Sequence, residues 1–170
     1  MRLFIGLDIA AQDALAIADW RARMLPPLTR PVPPENFHVT LAFLGDVTSR
    51  QLDPLVEQLD QITGTPFALA IDEVGYFPRP GILWVGPGET PQPLDRLARD
   101  VQTAARRAGL QIEKRAFRPH ITLARRCDSP PPLSARPPAF EMRFDDFALF
   151  ESVGGRRGVR YEVIGRWPLA

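Results

Sequence analysis

Cysteine and lysine each occur once in this 170-residue chain, and histidine only twice. The lone Cys127 cannot close an internal disulfide and rules out a cysteine-built zinc site. No apolar run approaches the roughly 20 residues a membrane helix needs. The opening residues, Met1-Arg2-Leu3-Phe4-Ile5-Gly6-Leu7-Asp8, lack a signal-peptide pattern. A cytoplasmic protein without membrane association is therefore expected. With Lys114 the single lysine, twenty of the 21 lysine and arginine positions are arginine. A biased source genome accounts for much of that, yet the planar guanidinium fork also matches phosphate oxygens as an ammonium does not. Between Val101 and Arg126 the charges are Arg106, Arg107, Lys114, Arg115, Arg118, Arg125 and Arg126, opposed only by Glu113. That field suits a short anionic ligand and is too modest for a duplex.

A hydrophobic content of 45% is enough for one core or two small lobes, and a single domain over residues 1–170 is expected. Three stripes have helical spacing: Leu15, Ala18, Ala22 and Leu25; Leu52, Leu55, Val56, Leu59 and Ile62, capped by Thr48 or Ser49; and Leu94, Leu97, Ala98, Val101 and Ala105, ended by Gly109. Strand-like segments cover 2–8, 37–44, 67–77, 82–86, 119–125, 140–150 and 159–167. Most of the prolines fall between these elements as stiff connectors.

The organisation repeats. Phe67, Leu69 and Ile71 alternate, Asp72-Glu73 intervenes, and Val74 and Tyr76 resume on the other parity. Phe140, Met142 and Phe144 alternate, Asp145-Asp146 intervenes, and Phe147 and Leu149 resume likewise. Such a parity switch predicts a bulge or bend at the same place in each copy. Upstream, each copy carries a helix and then a His-x-Thr-Leu strand. Duplication into two pseudo-symmetric lobes is the better reading.

The histidine strands read Asn36-Phe37-His38-Val39-Thr40-Leu41-Ala42-Phe43-Leu44-Gly45 and Arg118-Pro119-His120-Ile121-Thr122-Leu123-Ala124-Arg125. Alternation puts His38 with Thr40, and His120 with Thr122, on one face, with Val39, Leu41, Ile121 and Leu123 in the core. A single His-x-Thr carries little weight. Here both histidines of the chain fall in the same pattern at equivalent places. Two imidazoles across a cleft suit phosphodiester cleavage by general acid–base catalysis, because histidine can be neutral or charged near neutrality. Thr40 and Thr122 would donate to non-bridging phosphate oxygens.

These motifs resemble the two-histidine (2H) phosphoesterases, and most widely the bacterial and archaeal RNA 2′,3′-cyclic phosphodiesterases, also called 2′-5′ RNA ligases. The likeness takes in Arg2-Leu3-Phe4-Ile5, residues 34–45, Gly75-Tyr76-Phe77-Pro78-Arg79-Pro80, residues 117–125 and Trp167-Pro168-Leu169. It implies a bilobal α+β fold with two antiparallel sheets around a cleft, and a cyclic phosphate opened to a 2′-phosphomonoester. It also implies His38 as acid, His120 as base, Arg125 on the phosphate and Phe43 beside the nucleotide. No metal and no cofactor are expected, because the sequence offers no ligand cluster. Strand parity places Phe43 and Arg125 opposite the histidines, so each needs a bulge or strand end to reach the cleft. Arg118 shares His120's parity and is a candidate backbone contact. Tyr76 is read as core, with stacking on a base as the lesser alternative, and Gly154-Gly155-Arg156-Arg157-Gly158 as a hairpin loop, with substrate steering by its arginines as the lesser alternative.

The expected partners are RNA ends, or small cyclic nucleotides, bearing a 2′,3′-cyclic phosphate, handled by a monomer. Ligation of 2′-5′ RNA ends, hydrolysis of ADP-ribose cyclic phosphate and silent RNA-end binding stay open as alternatives. A metal hydrolase would need a ligand cluster that two separated histidines do not supply.

Overall fold

Residues 1–132 and 136–170 are described by a computed structural model. The chain runs β1 (Arg2–Asp8), α1 (Ala11–Met24), β2 (Arg30–Pro31), a 3₁₀ turn (Pro34–Asn36), β3 (His38–Asp46), α2 (Ser49–Leu59), β4 (Phe67–Ile71), β5 (Glu73–Phe77), β6 (Ile82–Gly86), α3 (Gln92–Arg107), β7 (Ile121–Arg125), β8 (Phe140–Phe144), β9 (Asp146–Gly155) and β10 (Gly158–Pro168). This is an α+β fold with three helices and two antiparallel sheets.

The larger sheet has the order β10-β9-β1-β3-β7-β6-β5, with β2 added on β7. The smaller one pairs β4 with β8. The two repeated strands meet in it antiparallel, Phe67 opposite Phe144, Leu69 opposite Met142 and Ile71 opposite Phe140. The parity switch falls where predicted. Its physical form is a one-residue break, at Asp72 and at Asp145, where the chain leaves the small sheet for the large one.

Helix α2 begins with a reciprocal capping box between Thr48 and Gln51. Helix α3 buries Leu94, Leu97, Ala98, Val101, Ala104 and Ala105, and Gly109 ends it with φ +89°. On α1 the predicted stripe is rotated. Leu15 is exposed while Ala14, Ile17 and Trp20 are buried, because the bulkier Ile17 and Trp20 cover more apolar area than Leu15 and Ala18 would. Among the described residues no helix is long and apolar enough to cross a membrane.

Candidate active site

Strands β3 and β7 run antiparallel and meet at one residue pair, Val39 opposite Ile121. Both side chains are fully buried. Their neighbours on either side therefore turn to the opposite face: His38 and Thr40 from β3, His120 immediately before β7 and Thr122 within it. All four are half-buried. Alternation along an edge-to-edge strand pair is what brings the predicted residues together.

Each imidazole is oriented by the backbone two residues before it. His38 Nδ1 lies 2.8 Å from the Asn36 carbonyl, and His120 Nδ1 lies 2.9 Å from the Arg118 carbonyl. A carbonyl only accepts, so Nδ1 carries the hydrogen in both rings and Nε2 is left for chemistry. His38 Nε2 is 3.0 Å from Thr40 Oγ1 and accepts from that hydroxyl when the ring is neutral. Asn36 is itself buried and donates from Nδ2 to the Val159 carbonyl at 2.8 Å, tying the His38 strand to β10.

The rings are walled by aromatics. His38 packs on Phe4 at 4.7 Å between centroids and meets Tyr161 edge-on at 4.9 Å. His120 meets Phe77 edge-on at 5.1 Å and Trp84 at 6.0 Å. Trp84 lies flat across Gly75, where an added Cβ would sit 1.9 Å from the indole. Glycine is required there to keep that wall in place. The Arg118 guanidinium lies over Trp84 and Phe77 at 5.1 and 5.6 Å, so its cation–π packing supports the wall.

Burial disfavours the charged imidazole. Desolvation, with Arg125 and His120 nearby, pushes His38 down from its ordinary value to about 4, against the opposing pull of its Asn36 bond and Asp8. His120 is lowered too, first by desolvation and then by Arg125 and Arg118, while its bond to the Arg118 carbonyl opposes. The free protein thus holds both imidazoles neutral at pH 7, with a cation beside them.

Phe43 and Arg125 reach the same face through matched bulges. On β1, Ile5 faces Ala42 and Gly6 faces Thr40, so Leu41 is the extra residue. On β6, Leu83 faces Ala124 and Trp84 faces Thr122, so Leu123 is the extra residue. Each bulge buries two consecutive residues, Leu41-Ala42 and Leu123-Ala124, and reverses the parity beyond. Each bulged carbonyl is held by a side chain from a helix: Gln102 Nε2 of α3 to Leu41 O at 3.3 Å, and Arg21 Nη1 of α1 to Leu123 O at 2.7 Å. Arg21 also donates to Val32 O at 2.7 Å and stacks on Phe37.

A cleft of about 630 Å³ opens beside His38, with Phe4, Phe43, Arg125 and Tyr161 in its walls. Phe43 is 64% exposed, which excludes a core role. Arg2, Arg30 and Arg157 also line this cleft. Arg2 opens a segment of the family likeness to which no role is attached, Arg30 lies in no motif, and Arg157 sits in the hairpin loop whose arginines carry substrate steering as the lesser alternative. Arg30 is brought in by pairing directly opposite Arg125 across β2 and β7. Tyr76 is half-buried and donates to the Cys127 carbonyl at 2.7 Å, a structural tie. Among the described residues no group of three or more His, Cys, Asp or Glu is placed to hold a metal ion.

The family model described as LigT like phosphoesterase matches this chain twice, over residues 7–84 and 85–161. An RNA 2′,3′-cyclic phosphodiesterase of Escherichia coli (strain K12) is 35% identical, the alignment covering 99% of this chain and 96% of the relative. Another, from Bacillus subtilis (strain 168), is 32% identical with 98% and 96% covered. The crystal structure of E. coli LigT in apo form superposes with a TM-score of 0.91 at 34% identity, covering 99% of this chain and 96% of that one.

Proposed function

The chain belongs to the LigT-like phosphoesterase family, and we propose that it hydrolyses RNA 2′,3′-cyclic phosphate termini to 2′-phosphomonoesters. The observation that carries this reading is the pair of imidazoles on one face of β3 and β7, each with Nδ1 fixed by a backbone carbonyl so that Nε2, held at His38 only by the Thr40 hydroxyl, is the nitrogen that meets substrate. Curated relatives of matching length bear the name of that activity.

In-line displacement at phosphorus needs a base on the side of the attacking water and an acid on the side of the leaving oxygen. His120 removes the proton of water through Nε2, and His38 protonates the 3′ oxygen as it leaves. The negative cyclic phosphate entering beside His38 offsets its desolvation and raises its pKa, so the substrate brings the acid into its charged form. That proton also ends the bond in which Nε2 accepts from Thr40: Nε2–H turns to the leaving 3′ oxygen, and the Thr40 hydroxyl is released to a non-bridging oxygen. Thr122 takes the other non-bridging oxygen, Arg125 grips the phosphate as a fork, and Phe43 flanks the nucleotide. Fixing these groups on strands holds the phosphate in register for attack.

The working unit is one domain over 1–170 made of two pseudo-symmetric lobes. It acts as a cytoplasmic monomer without metal or cofactor. The test is incubation with short RNAs ending in a 2′,3′-cyclic phosphate, with and without EDTA. Conversion to a 2′-phosphate seen by phosphorus NMR, unchanged by EDTA, is expected. A 3′-phosphate product would refute the orientation, and a strict metal requirement would refute the mechanism.

A further inference from the structure

The proposed chemistry uses one of the four arginines in the His38 cleft. The other three need a reason. Arg30 and Arg125 stand directly opposite each other on antiparallel strands. Cross-strand partners have Cβ atoms roughly 5 Å apart, and like charges there repel. Among the described residues, no Asp or Glu lines the cleft, and no ion pair engages Arg2, Arg30, Arg125 or Arg157. The chain has twenty carboxylates, so pairing was available and was not used here. A cationic cleft in which only Arg2 has a carboxylate, Asp46, as its cross-strand partner, contiguous with His38 and edged by exposed Phe43, fits an anion longer than one phosphate.

We infer that Arg2, Arg30 and Arg157 form a subsite for the phosphodiester backbone of the nucleotides that precede the cyclic phosphate, so that an oligoribonucleotide end is preferred over a cyclic mononucleotide. The three come from separate elements: Arg2 from the start of β1, Arg30 from β2 and Arg157 from the β9–β10 turn. A flexible strand crossing the cleft can meet each in turn. Phe43 adds an apolar face on which a base can stack. The volume of about 630 Å³ exceeds what one phosphate group needs. The inference rests on the cyclic phosphodiesterase reading and adds to it a length requirement.

The experiment compares kcat/KM for 2′,3′-cyclic AMP and for a tri-adenylate ending in 2′,3′-cyclic phosphate, in the unaltered protein and in the Arg30→Gln/Arg157→Gln double variant. Glutamine keeps the aliphatic stem and polarity, and an unchanged melting temperature confirms folding. The expected result is a trinucleotide preference that falls at least about tenfold in the variant, mostly through KM. The salt dependence of log KM for the trinucleotide should also flatten by about 0.7 for each phosphate the variant no longer neutralises. An unchanged preference ratio, or an equal loss on both substrates, would overturn the subsite. If the unaltered protein turned over neither substrate, the cyclic phosphodiesterase reading would fail and the subsite with it.

Discussion

Arg21, at the end of α1, donates at 2.7 Å to the carbonyl of Leu123, the residue whose bulge turns Arg125 toward the histidines. The partner in space is 102 positions away in sequence. Burial of the guanidinium lowers its pKa from the ordinary arginine value without removing its charge at neutral pH. Gln102 holds the Leu41 bulge in the same way from α3. The helices thus reach the face that carries the two histidines by holding the strand irregularities that shape it.

Arg21→Met should therefore disturb function as well as stability. Two carbonyls lose a charged donor, which costs about 1–3 kcal/mol of folding stability. Displacing Arg125 should raise KM for a cyclic phosphate about tenfold, with Arg21→Lys partly restoring it because an ammonium can still donate to both carbonyls. Steady-state kinetics alongside thermal melts checks this. A variant that melts lower with KM unchanged would restrict Arg21 to a structural role.

Arg125→Lys should lower kcat/KM by at least about tenfold despite equal charge. A bidentate fork holds a phosphate in a fixed orientation and a point charge does not. Kinetics equal to those of the unaltered protein would return Arg125 to the solvated surface.

The depressed histidines make stability depend on pH in a stated direction. An unfolded histidine takes up a proton near pH 6.5, whereas folded His38 does so only near 4. Stability is therefore full above 6.5 and is lost as pH falls from 6.5 toward 4, by at most about 1.4 kcal/mol per pH unit for each histidine. Urea midpoints at pH 7 and 5 should differ in that sense, and His38→Gln should reduce the difference. A variant with the same pH dependence as the unaltered protein would remove His38 from the effect.

Activity follows from the same groups. The kcat/KM profile reports the free protein and needs one imidazole charged and one neutral. Both are shifted below the ordinary histidine value. The bell should therefore peak on the acid side of pH 6.5. The kcat profile should peak at higher pH, because bound phosphate raises both groups. Coincident optima would contradict the proton uptake assigned to His38.

Much of this architecture was legible from alternation. Val39, Leu41, Ile121 and Leu123 are buried and His38, Thr40, His120 and Thr122 are not, as a period of two requires. The paired breaks at Asp72 and Asp145 showed as parity switches, since a strand that changes sheets changes its buried face. Simple alternation failed at Phe43 and Arg125. A bulge is a property of the pairing between strands, and its helix-borne donors, Arg21 and Gln102, lie far off in sequence. Arg30 was silent, and Arg2 had no role attached to it, for the same reason, because topology and not spacing brings them to the cleft. The α1 face was misread because alanines dilute its stripe and leave Ile17 and Trp20 to decide the rotation.

The central claim is that His38 and His120 act as one unit. The most direct measurement is single-turnover cleavage of an RNA 2′,3′-cyclic phosphate by His38→Ala, His120→Ala and the double variant. Each single change should slow the chemical step by at least about 10²-fold, with folding intact by circular dichroism. The double variant should be little slower than either single one, because a missing acid already disables the base. Either single variant turning over at a near-normal rate would contradict the two-histidine mechanism.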